Sequence, residues 1–412
     1  MLLLGLWSAG GCIPARLRDG TLFAVDPVRP PVVRVRLPQN GTRMAVHGNG
    51  RLIVTACAGS MTSPCTISTQ DPIGVHRTKR GFDVTGRRGI VLARGASGVA
   101  IYGTGSEDLL WLGDAPYHGA LIIGRDDHQG TLVVNRLNLD AYLAGVVSPE
   151  LGERTDDEFE AVKAQAVAAR TYALTHLGQY GDAPYDLRAD VGDQVYDGAS
   201  RTRAWADEAV AATEGEILTY DGHLIDAYYH STCGGHTDAI ADVWPKPPRP
   251  YLISVDDSDF CQWSKYTHWT ENFGARVLLA NLRSYRRQLP DSPIGDFKSI
   301  SDLILEGATP GGRVAAMTVV TSSGRWTIRA DQIRWALGRP SHPGTILPSD
   351  IFTFSLRRDQ HGRIIGATAD GSGYGHGVGM CQCGMIGRAR AGQPYAQILM
   401  TYYPGTTLER EY

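Results

Sequence analysis

The stretch VVSPELGERTDDEFEAVKAQAVAARTYAL, residues 146–174, decides how this chain is read. It sets one glutamate, Glu150, in a Pro/Gly turn just ahead of an Ala-rich helix that carries Lys163, Gln165 and Arg170. Thr155 and Glu158 have the T-x-x-E spacing of a capping box, so the helix is expected to begin near Asp156. Phe159, Val162, Ala166, Ala169, Ala173 and Leu177 recur at helical spacing and predict a narrow buried face of small residues. Such a face allows close packing, and a carboxylate held beside it can have its proton affinity tuned, as acid–base chemistry requires. Taken alone, Glu150 reads more readily as a solvated turn residue, since functional carboxylates are rare.

Other segments change that balance. Tyr142-Leu143-Ala144-Gly145 leads into the glutamate, and Asp193-Gln194-Val195-Tyr196 follows the helix. Residues 227–237 read AYYHSTCGGHT. Residues 373–380 read GYGHGVGM, followed by Gln382, Gly384 and Tyr402-Tyr403-Pro404-Gly405. In this order the elements resemble the family of stage II sporulation protein D and the LytB amidase enhancer, with its G-V-V-x-x-E, D-Q-x-Y, H-S-x-C-G-G-x-T and G-x-G-H-G-V-G-M-x-Q words. The resemblance spreads from Tyr117 to Leu408. Two departures stand out: Cys381 where serine is common, and Cys383 where the family often has tryptophan.

The resemblance implies a peptidoglycan lytic transglycosylase that cleaves glycan strands between N-acetylmuramic acid and N-acetylglucosamine. Glu150 would act first as acid on the glycosidic oxygen, then as base on the ring's own 6-hydroxyl, leaving a 1,6-anhydro end. Such a mechanism calls for a carboxyl kept protonated near neutral pH by partial desolvation. Lys163, Arg170, Tyr172, Gln194, Tyr196 and His376 are the expected substrate-binding residues. Tyr172 and Tyr196, with Trp244, Trp263 and Trp269, offer flat faces for sugar rings, though most aromatics are core. A rival is a non-catalytic peptidoglycan-binding module that stimulates a cell-wall amidase. A third reading is a zinc amidase.

His230, Cys233 and His236 form H-x-x-C-x-x-H, with Cys261 as a fourth metal ligand; imidazole and thiolate both suit zinc. The same residues suit a Cys233–Cys261 disulfide with both histidines merely hydrogen-bonded. Some members of the similar family bind zinc near this element. The resemblance therefore implies one structural zinc with four protein ligands and no open position; no organic cofactor is expected. The glycines around His376 lack the lysine of a phosphate loop, and no G-x-S-x-G elbow surrounds Ser231.

Composition bounds the class. With 412 residues and 42% hydrophobic residues the chain can bury a sizeable core. A net charge of −3 and a pI near 6.5 give no broad basic field, which argues against a nucleic-acid partner. The start, MLLLGLWSAGGC, is an apolar run ending in small residues before Cys12, the pattern of a lipoprotein signal or a cleaved leader. Any membrane attachment would run through that segment. Seven cysteines, six if Cys12 is lipidated, suit the cell envelope, and Cys57 and Cys65 could close a short disulfide.

The expected fold class is α+β: an antiparallel β-rich domain with packed helices, preceded by a small all-β N-terminal unit. The expected boundaries are a leader over 1–25, the small β unit over 26–114 and the catalytic domain over 115–412. Hairpins are expected around Asp221-Gly222 and within residues 314–330, with helices over 204–213, 273–289, 331–337, 385–391 and 396–402.

Overall fold

A computed structural model describes residues 30–39, 41–58, 65–105, 107–289 and 295–412. The leader and Cys12 lie outside them. The chain is α+β and divides into two compact units. The first comprises the residues up to Arg154, Ala169–Ile217 and Arg410–Tyr412; the second comprises Thr155–Ala168 and Leu218–Glu409.

The first unit is built on a twelve-stranded, mostly antiparallel sheet. The long strand Val91–Gly103 is its hub, pairing with Gly81–Thr85 at one end and with Leu52–Ala58 and Ala120–Arg125 towards the other. Alternation does the sorting: Val33, Val35, Val46, Val54, Val75 and Val84 are fully buried while their neighbours in sequence are not. The boundary expected at residue 114 does not separate two bodies. Strand Thr131–Asn138 lies between Ala120–Arg125 and Val32–Arg36, so the first strand among the described residues is an inner member of a sheet that runs past residue 114. Pairings of this range leave no mark in local sequence.

Helix α1, Leu139–Leu151, grows directly out of that strand. Asn138 caps it, its Oδ1 accepting the Ala141 N–H at 2.7 Å. The expected Pro/Gly turn is therefore the end of a helix: Pro149 sits in the last turn and Glu150 follows it, before Gly152 at φ +67° ends the element. Proline there has no N–H to give the carbonyl of residue 145, so one helical bond is missing just before the element ends.

The capping box forms as expected, the Thr155 N–H reaching Glu158 Oε2 at 3.1 Å. One 3-10 turn over Asp156–Glu158 leads into α2, Phe159–Thr175. From Ala161 to Ala173 every residue but Lys163 is buried, so the helix is enclosed on all sides rather than along a narrow face. Helix α3 follows at Ala204–Ala212.

Where the chain enters the second unit, Glu216–Tyr220, whose first two residues belong to the first unit, and His223–Leu224 make the expected hairpin, with Asp221 and Gly222 both at positive φ. Helix α4 is one turn, Ile240–Val243. Two three-stranded antiparallel sheets then share a core with helices α5, Ala275–Arg287, and α6, Gln332–Leu337. That core runs from Trp269 to Ala369 and includes Phe273, Leu282, Met317 and Trp326. Helices α7, Gln382–Arg390, and α8, Tyr395–Tyr402, close the unit. Among the described residues no helix is long and apolar enough to cross a membrane.

Candidate functional site

Glu150 is half-buried at the C-terminal end of α1, and the Val195 N–H reaches its Oε1 at 3.4 Å. That N–H belongs to the D-Q-x-Y element, which is fixed from both sides. Tyr142 on α1 donates to Gln194 Oε1 at 3.0 Å, and Gln194 Nε2 donates to the Ala169 carbonyl of α2. Tyr196 packs its ring 5.0 Å from Tyr142 and donates to Asn135 Oδ1 at 2.6 Å. Burial, followed by neighbouring acidic groups that include Glu150, pushes the Tyr142 phenol far above its ordinary range. Asp193 pins the preceding loop by accepting from Tyr180, Gln179 and the Arg188 N–H.

Four residues expected to touch substrate are buried in this same unit. Gln194 and Tyr196 are taken up as described, and Tyr172 stacks on His176. Arg170 is fully buried, pairing with Asp140 at 3.3 Å and donating to Tyr412, Thr213 and the carbonyls of Val210 and Glu216. With its guanidinium committed in this way, Arg170 ties α1, α2 and α3 together. The seven-residue spacing from Lys163 could not show this, because its partners lie far along the chain. A cleft of about 460 Å³ between α1 and α3 is lined by Asp140, Asp207, Glu214 and His118. Glu150 does not line it.

Lys163 belongs to the second unit, where it pairs with Glu160 and lies 4.7 Å from the Tyr395 ring centre. So does His376. Its Nε2–H donates to the Tyr229 carbonyl at 3.0 Å and its Nδ1 accepts from the Val378 N–H at 3.1 Å. Both ring nitrogens are thus engaged by the main chain, the pattern of a neutral ring. Trp244 packs 4.8 Å from it; Trp269 is buried, and Trp263 is exposed beneath Arg390.

Burial pushes the His376 pKa down to about 4, against the opposing pull of Asp331. The unfolded chain takes up a proton below the ordinary 6.5 that the native ring refuses until about 4. Stability contributed by this ring is therefore present above that window and lost as pH falls through it. Thermal melts across the window should show Tm falling with pH, less steeply in His376→Gln. Equal slopes in the two proteins would remove His376 from the acid response.

The glycines beside His376 bring the closing signature onto the H-S-T-C-G-G element. Tyr229 and His230 pair in parallel with Met380 and Cys381, and Thr232 bridges to Tyr374. Gly377, at φ +83°, faces the buried guanidinium of Arg313: a Cβ there would lie 2.2 Å from its Nε and Nη2. Arg313 is held between Asp238 at 2.9 Å and Asp350 at 2.6 Å, and donates to the Cys233 carbonyl.

The strand pairing also gathers thiols. Cys233, Cys261 and Cys381 are buried with Asp257, and their ligand atoms all lie within 4.8 Å of one another, a group that could hold a metal ion. Two of the four expected ligands, Cys233 and Cys261, are in it; the two histidines are not. His230 points its Nδ1–H at the Val378 carbonyl, and His236 is exposed beside Asp256. Gly234 and Gly235, both at positive φ, turn the chain between positions 230 and 236 and send the two imidazoles to different surroundings. Hydrogen bonds from Cys233 and Cys381 hold the Cys261 thiol down at about 3, while the hydrogen bond to Cys261, followed by burial, raises Cys233 far above its ordinary range against the opposing pull of Cys381.

The fold and these ordered elements define a class of α+β protein with one carboxylate at a helix end and a glycine-rich closing strand. A family model described as Stage II sporulation protein matches residues 127–220, and a domain of unknown function, DUF8618, matches residues 260–379. Stage II sporulation protein D of Bacillus subtilis (strain 168) is 30% identical over 290 residues, covering 67% of this chain and 75% of that protein. An uncharacterized protein of Brachyspira hyodysenteriae is 32% identical over 306 residues, 74% of this chain and 75% of its own. The amidase enhancer of Bacillus subtilis is 32% identical over 304 residues, 65% of this chain but 40% of its own length. The chain belongs to the stage II sporulation protein D family.

Proposed function

We propose that this protein works at the cell wall, in the cell envelope, as a lytic transglycosylase on the glycan strands of peptidoglycan. What supports it most is Glu150: a half-buried carboxylate at the end of a capped helix, with a main-chain N–H of the D-Q-x-Y element on one oxygen. Glu150 as acid protonates the glycosidic oxygen as the C1–O4 bond breaks. As base it then takes the proton from the muramic 6-hydroxyl while the O6–C1 bond forms. Neither step needs a second carboxylate or a water nucleophile. Arg170, Tyr172, Gln194 and Tyr196 act through position, holding the helix and the element that frame Glu150. Lys163 is only partly buried and carries the charge for a substrate contact. Export through the N-terminal segment, with Cys12 as a lipid anchor, belongs to this reading, as does one structural zinc at the thiol cluster.

A second reading is a non-catalytic enhancer that binds peptidoglycan and a wall amidase, favoured by the identity to the amidase enhancer. A zinc amidase has less support, since His230 and His236 stand outside the thiol group. Mass spectrometry of purified sacculi treated with the full chain separates the three. Anhydro-muramyl ends are the expected result. Free stem peptides would point to an amidase, and unaltered sacculi that retain the protein to the enhancer.

A further inference from the structure

The sulfur atoms of Cys233 and Cys261 lie 3.5 Å apart, and Cys233 Sγ lies 3.3 Å from Asp257 Oδ2. Tetrahedral zinc with Zn–S near 2.3 Å and Zn–O near 2.0 Å requires edges of about 3.8 Å and about 3.5 Å. The group therefore already has roughly the size of a zinc tetrahedron. A Cys233–Cys261 disulfide would remove the thiol hydrogen that Cys233 gives to Asp257 Oδ2, leaving that buried oxygen beside sulfurs with no proton or ion shared between them.

Main-chain N–H groups treat two of the sulfurs as acceptors. Cys233 Sγ accepts from the Gly235 N–H at 3.4 Å, and Cys381 Sγ accepts from Gly384 at 3.3 Å and Cys233 at 3.2 Å. The Gly384 contact makes Cys381 the N-cap of α7. Asp257 is oriented in the manner of a metal-bound carboxylate. Its Oδ1 accepts from Tyr402 at 2.6 Å and from Arg388 at 3.2 Å, leaving Oδ2 facing the sulfurs. A Cβ at residue 384 would stand 1.9 Å from that Oδ2, so glycine is what lets the carboxylate reach inward.

We propose that Cys233, Asp257, Cys261 and Cys381 form a closed structural zinc site, with Asp257 and Cys381 completing a ligand set that His230 and His236 do not join. This deepens the zinc part of the proposed function and is independent of Glu150. Cys381 is one of the chain's departures from the family words, which makes the site a property of this chain. Its four ligands come from the H-S-T-C-G-G element, the turn at 256–261 and the first residue before α7. The strand pair that joins the first and last of these is only two residues long on each side. A bound ion would clamp a junction that so few hydrogen bonds hold weakly.

The test uses the full chain, reduced, stripped of metal and reconstituted with zinc or cobalt(II). Metal analysis is expected to find about one ion per chain, and the cobalt form to show thiolate charge-transfer absorption. Zinc should shield Cys233, Cys261 and Cys381, but not Cys383, from alkylation until a chelator is added. That readout needs no variant. Cys381→Ser and Asp257→Asn should weaken binding at least 10- to 100-fold, the loss that even outer-shell changes bring. His236→Ala and Cys383→Ser should leave it unchanged. Metal retained in Cys381→Ser, or lost in His236→Ala, would overturn this ligand set while leaving a zinc protein. No metal after reconstitution, with a mapped Cys233–Cys261 disulfide in the isolated protein, would overturn the zinc itself.

Discussion

Glu150→Gln is expected to abolish release of anhydro-muramyl products while leaving the fold and wall binding nearly intact. Glutamine has the size and polarity of the acid and can still accept the Val195 N–H, so the contact at 3.4 Å survives in outline. What it cannot do is give a proton to the leaving oxygen or take one from the 6-hydroxyl. Loss of acid–base catalysis costs on the order of 100- to 10,000-fold, and one group used in both steps places the effect at the upper end. The measurement is product formation on sacculi alongside a pull-down of the same sacculi. Normal binding without products is the expected pair; undiminished products in the purified variant would remove Glu150 from the chemistry.

Gly377→Val is expected to be the most damaging single change in the second unit. The position has φ +83°, where a β-branched residue is strained whatever the space. The space is also taken, since the new Cβ would lie 2.2 Å from the Arg313 guanidinium. Arg313 could yield only by leaving Asp238 and Asp350, two carboxylates almost completely shielded from water. Uncoupling a buried ion pair typically costs about 3–5 kcal/mol, before the backbone strain is added. A chemical denaturation midpoint close to that of the parent would mean that the loop relaxes without disturbing Arg313.

Much of this was legible from the residues alone. The capping box, the Asp221-Gly222 hairpin, α3 and α5 to α8 depend on local chemistry, and local chemistry is what a sequence displays. Three features were not. Pro149 reads as a turn, but the helix carries it within its last turn, so Glu150 closes a helix instead of preceding one. Arg170 and His376 look like free functional groups until their partners are known. Those partners are carbonyls and acids brought in from distant segments. The H-x-x-C-x-x-H spacing drew attention to the histidines, while the third thiol lay at Cys381. The departure from serine there was visible; that it comes to rest against Cys233 depends on a strand pairing no local pattern encodes.

That pairing has a consequence for how the chain acquires its shape. His230 meets Val378 across 148 positions, and most of the residues between them carry a core of their own, from Trp269 to Ala369. Bringing two such distant segments together as bare coil is entropically slow, and long-range pairings of this kind govern folding rates. If the intervening sheets and helices condense first, the coil still to be closed shrinks, and each halving lowers the closure cost by about 0.6 kcal/mol. The segment matched by the domain of unknown function then serves as a folding scaffold. A substitution in its core, such as Met317→Ala, should slow the formation of a strand pair it never touches.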